Sequence, residues 1–248
     1  MLKRVFDIAA SGVGLILAAP ILLPVIFLVW WHDKHSPFYI ADRVGKNDRS
    51  FKMVKLRSMV INADKSGVDS TGANDNRITA VGQFIRRYKL DELTQLWNVF
   101  KGDMSLVGPR PNVRRETDLY TSVERGLIDV KPGITDIASI VFSDEGNILK
   151  DQVDPDIAYN QLIRPGKSML GLIYIENQSI SLDIRLCILT VVAIFSRERA
   201  LVGVQRILQR IEAPNDVVQL ALRSQQLVPM PPPGSEHIVT SRDGNPNA

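Results

Sequence analysis

The stretch Tyr88–Pro111, YKLDELTQLWNVFKGDMSLVGPRP, decides how the rest of the chain is read. Asp91 and Glu92 stand side by side at the head of a run in which Leu90, Leu93, Leu96, Trp97 and Phe100 recur at three- and four-residue spacing. That period predicts an amphipathic helix with those side chains in a core. Arg86, Arg87 and Lys89 lie just upstream, and a Gly-Pro-Arg-Pro turn, Gly108–Pro111, follows. Cations beside acids at a helix start suit a site that handles anions, because the first amides of a helix also point at anions. For an isolated Asp-Glu pair, a buried helix with a charged first turn is the simpler reading. The surroundings of the pair decide against it.

A chain of 248 residues holds one good-sized core or two small domains. Its 30 Lys+Arg against 27 Asp+Glu leave a formal net charge of +3, too little to argue for a nucleic-acid partner. The single cysteine, Cys187, excludes an intrachain disulfide and offers no metal framework, which points to a reducing compartment for the folded part. His32, His35 and His237 have no ligand spacing, so no zinc site is expected.

Between Asp7 and His32 there is no charged side chain, and the apolar run is long enough to cross a bilayer, which takes roughly 20 residues. It is also longer than the ~7–15-residue apolar core of a cleaved signal peptide. Trp30 and Trp31 stand at its far end as interfacial anchors. Pro20 and Pro24 each remove a backbone donor, so a break near the middle of the segment is expected. A helix bent there dips into one leaflet and returns, although hydropathy alone leaves a spanning path open. Basic residues on both flanks, Lys3 and Arg4 before and Lys34 and Arg43 after, favour the re-entrant path.

Further along, Ser50–Met59, SFKMVKLRSM, alternates in part and predicts a strand. Lys55 and Arg57 would then share a face, either as a solvated sheet edge or as paired cations for a phosphate-bearing ligand. Residues 62–76 are small and polar and read as a loop able to move over a site. A short helix through Gly82–Arg87 leads into the carboxylate pair.

These pieces occur in a fixed order: KRVFD (Lys3–Asp7), the proline-interrupted apolar segment, RVG (Arg43–Gly45), FKMVKLRSM (Phe51–Met59), DNRIT (Asp75–Thr79), LDEL (Leu90–Leu93), NVFKGDMSLVGPRP (Asn98–Pro111) and KPGIT (Lys131–Thr135). In that order they resemble the bacterial sugar transferases, the small monotopic phosphoglycosyl transferases. The resemblance implies a re-entrant membrane helix and a catalytic domain on the cytoplasmic face of the bacterial inner membrane. It also implies transfer of a sugar-1-phosphate from a UDP-sugar to a polyprenyl phosphate such as undecaprenyl phosphate, with release of UMP, as the first membrane step of surface glycan assembly. Carried over by motif, Asp91 is the nucleophile and Mg²⁺ ligand, Glu92 is its partner, and Arg86 and Arg110 contact phosphate or nucleotide.

Elementary chemistry agrees with that assignment. A diphosphate repels an anionic nucleophile until cations neutralise it. A carboxylate can then attack phosphorus and hold the cargo as an acyl-phosphate. The chain departs from the family pattern at Ala19, where a serine is common before the proline, and in Asp136–Ile140 and Ser143–Glu145, which implies a donor pocket of its own. The competing reading is a catalytically idle membrane-anchored adaptor, which would have no use for Asp91.

In the last third, Leu182–Phe195 reads as an apolar helix too short to span, either buried or lying at an interface. Ser196–Arg210 reads as a basic amphipathic helix, suited to an anionic lipid surface or to packing on the domain. Asp216–Gln226 offers one more helix, and the Pro-rich remainder reads as disordered. The expected fold is therefore α+β and mostly helical: a re-entrant membrane helix in 1–35, a catalytic domain with interfacial helices and a short β element in 36–213, and a tail in 214–248. Membrane lipids are expected partners, and a homodimer is left open.

Overall fold

The computed structural model describes residues 2–63 and 75–241. The chain opens with one long helix, α1 (Leu2–Asp33), followed by an antiparallel hairpin of β1 (Phe38–Val44) and β2 (Ser50–Leu56), registered from Phe38 opposite Leu56 to Val44 opposite Ser50. Next come α2 (Ala80–Arg87), α3 (Leu90–Leu93), α4 (Leu96–Lys101), β3 (Ser105–Val107), α5 (Arg114–Thr117) and β4 (Gly133–Thr135). The remainder is helical: α6 (Ile137–Val141), α7 (Glu145–Ile148), α8 (Pro155–Ala158), α9 (Arg164–Glu176), α10 (Ile180–Phe195), α11 (Arg197–Arg210) and α12 (Asn215–Leu222). β3 and β4 pair in parallel, Ser105 with Gly133 and Val107 with Thr135. The mostly helical α+β class is as expected. Most of the loop read at 62–76 lies outside the described residues.

Pro20 and Pro24 do not divide α1 into two helices, because it stays helical through both residues. At 1.5 Å per residue it is about 48 Å long. Each proline forfeits a backbone hydrogen bond, but packing spans the weakened stretch. Ala18, Leu22, Val25 and Val29 form one buried cluster with Leu56, Ile85 and Leu90 of the domain. Both ends are tied down as well. Near the start, Arg4 donates to the free carbonyls of Val99 (2.5 Å) and Phe100 (2.7 Å) at the end of α4, and the buried Asp7 accepts from the Ser105 hydroxyl and the Leu106 amide, each at 3.0 Å. Lys3 reaches Asp183 (2.5 Å), the Tyr174 hydroxyl and the Val107 carbonyl. At the far end Asp33 grips the Arg57 guanidinium with both oxygens.

The central stretch is helical as expected, in the two short helices α3 and α4, with Leu90 and Leu96 buried and Leu93 partly buried, but the aromatic residues depart from the face the spacing suggests. Trp97 and Phe100 are exposed and stack on each other, whereas Thr94, Gln95, Asn98 and Val99 are buried. Asn98 explains why the two rings are displaced from the buried face. Its side-chain oxygen accepts from the Val54 amide (2.9 Å) and its amide donates to the Lys52 carbonyl (2.7 Å), so one side chain completes the open edge of β2 as a neighbouring strand would. The Thr94 hydroxyl lies 3.1 Å from the Val54 carbonyl and 2.9 Å from that of Asp91.

Two glycines set the next crossing. A Cβ on Gly133 would fall 2.1 Å from the Gly108 amide nitrogen, so the GPRP turn and the KPGIT segment touch backbone to backbone. Gly108 donates to Thr135 and Gly133 to Pro109, both at 2.9 Å. This crossing delivers Arg110 to the site.

The main core joins β3, α6, α9, α10, α11 and α12, and Val217, Val218 and Ala221 of α12 are part of it. Packing therefore continues past residue 213. Where composition suggests a disordered tail, the chain to Ser241 is docked: Val239 is buried, Gln161 donates to its carbonyl at 2.7 Å, and the Thr121 hydroxyl donates to the Pro233 carbonyl. Backbone hydrogen bonds to side chains on the domain surface replace the core that a polar, Pro-rich segment cannot build.

Replacing Asn98 with alanine would leave the partly buried Val54 amide and Lys52 carbonyl without this partner, at about 1–3 kcal/mol each. The Asn98→Ala protein is expected to melt about 5–15 °C below the parent in detergent, measured by thermal unfolding.

Candidate active site

Asp91 and Glu92 occupy the first turn of α3, where carboxylates complement the helix dipole. The turn is entered through Lys89, a non-glycine residue in the left-handed region (φ 53°, ψ 31°), a conformation that costs roughly 1–2 kcal/mol and marks a constrained position. It separates α2 from α3 and turns the two carboxylates toward the hairpin and the GPRP turn.

There each acid meets its own cation. Lys55 Nζ, from β2, lies 3.7 Å from Asp91 Oδ2, and both side chains are largely shielded from solvent. Arg110 Nη1 lies 3.0 Å from Glu92 Oε1. Burial pushes the Lys55 ammonium below its usual range, Arg110 pushes the same way, and Asp91 and Glu92 only partly offset them. Burial works to raise the Glu92 carboxyl, yet Arg110, Lys89 and Lys55 together hold it below the ordinary carboxylate range. Glu92 in turn holds the Arg110 guanidinium firmly protonated.

Three of the residues singled out from sequence, Asp91, Glu92 and Arg110, thus converge, and Lys55 joins them. Arg57 does not. It lies one residue past β2 and is committed to Asp33 and to the Ser36 carbonyl. Arg86, half buried in the last turn of α2, exerts its field on Asp75 rather than entering an ion pair with Asp91 or Glu92.

Two residues from the segments that depart from the family pattern, Glu145 and Asp136, come to the same neighbourhood, and Lys167, which no local pattern marks, joins them. Glu145 at the head of α7 pairs with Lys167 of α9, and Arg110 and Lys55 help to hold its carboxyl below its ordinary range against the opposing effect of burial. Arg110 also lines an open cleft together with Asp136, Ser139, Tyr159 and Lys167. Asp136 caps α6, accepting from the Ser139 amide at 2.6 Å, and burial pushes its carboxyl upward. Among the described residues no cluster of three or more His, Cys, Asp or Glu side chains could cage a metal alone.

Residues 1–197 match the family model described as bacterial sugar transferase. The chain belongs to the bacterial sugar transferase family. The match ends as α11 begins. Among sugar transferase relatives, the UDP-glucose:undecaprenyl-phosphate glucose-1-phosphate transferase of Klebsiella pneumoniae is 36% identical over 193 residues, covering 76% of this chain and 39% of that protein. The undecaprenyl-phosphate galactose phosphotransferase of Salmonella typhimurium LT2 is 42% identical over 149 residues, 54% of this chain and 31% of that one. The exopolysaccharide production protein ExoY of Rhizobium meliloti is 38% identical over 155 residues, 56% of this chain and 69% of its own length. The chain spans between 31% and 69% of the length of these relatives.

An acid whose folded pKa is depressed contributes stability above its unfolded value and loses it as pH falls through the folded value. For Glu92 that loss begins below about pH 4.5. The Glu92→Gln protein is expected to show a shallower fall in melting temperature than the parent across this acid range, read by thermal unfolding at a series of pH values.

Proposed function

We propose that the chain transfers a sugar-1-phosphate from a UDP-sugar to a polyprenyl phosphate, undecaprenyl phosphate in the first instance, and releases UMP. One observation carries this reading: the Asp91 carboxylate lies within reach of solvent, 3.7 Å from an ammonium, with the Arg110 guanidinium on its neighbour Glu92. The names of the sugar transferase relatives support the same chemistry.

The donor's diphosphate approaches Lys55 and Arg110, which draw off its negative charge. Asp91 attacks the β-phosphorus: its oxygen–phosphorus bond forms, the bridging bond to the α-phosphate breaks, and UMP leaves with that electron pair. Lipid phosphate then attacks the same phosphorus, the acyl-phosphate bond breaks, and Asp91 is regenerated as a carboxylate. Glu92 holds Arg110 in place rather than reacting. The cleft beside Arg110, with Asp136, Ser139, Tyr159 and Lys167, is the seat of the donor.

Charge in the site is nearly balanced before substrate arrives, with Lys55, Lys89, Arg110 and Lys167 against Asp91, Glu92 and Glu145, so a diphosphate calls for added positive charge. The donor set fits Mg²⁺ in the mode where one or two carboxylates and the substrate's own phosphates complete the shell. Asp91 would hold the ion, which when bound would supply Lewis-acid neutralisation of the diphosphate.

Placement at the cytoplasmic face of the inner membrane has its own support. α1 is long and apolar enough to cross a bilayer, and its outer face carries Ile16, Leu17, Leu23, Phe27, Leu28 and Trp31 exposed. Its two ends bind one domain, Lys3 through Asp183 and Asp33 through Arg57, which favours both ends on one side of the bilayer.

A covalent route predicts that labelled UMP exchanges into the UDP-sugar donor with no lipid acceptor present. Asp91→Asn is expected to abolish this exchange and to lower overall transfer on the order of 10⁴-fold or more. Exchange that strictly requires lipid would contradict the route. For topology, Leu2→Cys and Lys34→Cys in a Cys187→Ser background are both expected to label from the cytoplasmic side only. Opposite accessibility would mean that α1 spans.

A further inference from the structure

We propose that the groove between α10 and α11 binds an anionic phospholipid, with its headgroup phosphate among Arg185, Arg206 and Arg210. This site lies away from the carboxylate pair, and its α11 wall falls beyond the family match. It rests on the geometry of two helices and not on the chemistry proposed for Asp91.

The groove is lined by Arg185, Ile188 and Leu189 of α10 and by Gly203, Arg206, Ile207 and Arg210 of α11. Residues three, four and seven apart on a helix share a face, so each wall is a single stripe. Gly203 fixes how close the walls come, since a Cβ there would sit 2.4 Å from a Leu189 methyl carbon. The floor is therefore apolar and the rim cationic.

The two helices divide the work of an amphipathic surface. α11 spends its apolar face on the domain, with Ala200, Leu201, Val204, Ile207 and Leu208 buried, and turns Arg199, Arg206 and Arg210 outward. α10 does the reverse: only Leu182, Asp183 and Leu186 are buried, while Ile184, Ile188, Val191, Ile194 and Phe195 are exposed. Apolar side chains at 184, 188, 191 and 195 form a stripe that an acyl chain could follow out of the groove.

Charge complementarity selects the occupant. No carboxylate lines the groove, and Arg185, Arg206 and Arg210 form no ion pair among the described residues. Asp183, two positions before Arg185, is 1% exposed and already engaged by Lys3 and Tyr174. Three unpartnered guanidiniums around an apolar floor suit a phosphate that carries hydrocarbon. The Lys3–Asp183 pair also sets the start of α10 beside the start of α1, so a lipid held here would lie at the end of the long apolar helix.

The full chain in an uncharged detergent is titrated with phosphatidylglycerol and separately with phosphatidylcholine, and bound lipid is counted by native mass spectrometry. The parent is expected to prefer phosphatidylglycerol. With each surface cation worth about fivefold, the Arg185→Gln/Arg206→Gln/Arg210→Gln variant is expected to bind it roughly 100-fold more weakly. Arg199→Gln, on α11 but outside the groove, is expected to leave affinity unchanged. If the triple variant does not fold, Arg206→Gln alone is expected to show a drop of about fivefold. Equal binding of the two lipids by the parent, or undiminished phosphatidylglycerol binding by the arginine variants, would overturn the proposal. So would a lipid-free parent dimer that the triple variant breaks, which would assign the groove to a second copy of the chain.

Discussion

The Asn98 side chain on the edge of β2 is the contact on which the site depends. A two-stranded hairpin is marginal by itself and leaves an edge of unpaired backbone groups. Asn98 closes that edge at Val54 and Lys52, and the Thr94 hydroxyl adds a second tie at Val54. The next residue on the strand is Lys55, and three positions before Thr94 is Asp91. The ammonium and the carboxylate are thus set against each other by backbone pairing rather than by their own attraction. The Asn98 carbonyl also accepts the amides of Gly102, Asp103 and Met104, which turns the chain from α4 into β3 and toward Arg110.

The same segment receives the long helix. Lys3 and Arg4 read from sequence as a basic flank before a membrane segment, but the structure uses them, with Asp7, as protein contacts. Arg4 satisfies carbonyls that α4 leaves free, and Asp7 satisfies donors at β3. Part of the packing for Leu56, Ile85 and Leu90 comes from α1 itself. The apolar helix is therefore part of the packing around the carboxylate pair and not only an appended anchor, which couples movement of α1 to that pair.

Legibility followed sequence distance. β2 and α2 were readable from local periodicity, whereas Asp91, Glu92 and Arg110 were legible as site residues only through the family resemblance, and Lys55 was open between a sheet edge and a phosphate contact. Arg57 misled because alternation places it on the Lys55 face, whereas β2 ends at Leu56 and Asp33 captures it. Trp97 and Phe100 misled because hydropathy ranks aromatic rings above an amide, yet a buried amide with every bond made is the better edge partner for a strand. Pro20 and Pro24 misled because their local cost is visible in sequence and the packing that offsets it is not. Glu145 was marked only as part of a departure from the family pattern and Lys167 by nothing local, since tertiary folding alone brings them to Arg110. The α10–α11 groove was legible only in halves, an apolar helix and a basic one.

The central claim is that Asp91 carries the cargo covalently. Acid quench of the enzyme during turnover, trypsin digestion and mass spectrometry test it directly, because Leu90–Lys101 is released as one peptide containing Asp91. The account predicts that this peptide gains the mass of one sugar-phosphate when donor is present without acceptor, and that adding lipid phosphate discharges it. An unmodified Leu90–Lys101 peptide under conditions that sustain turnover would contradict it.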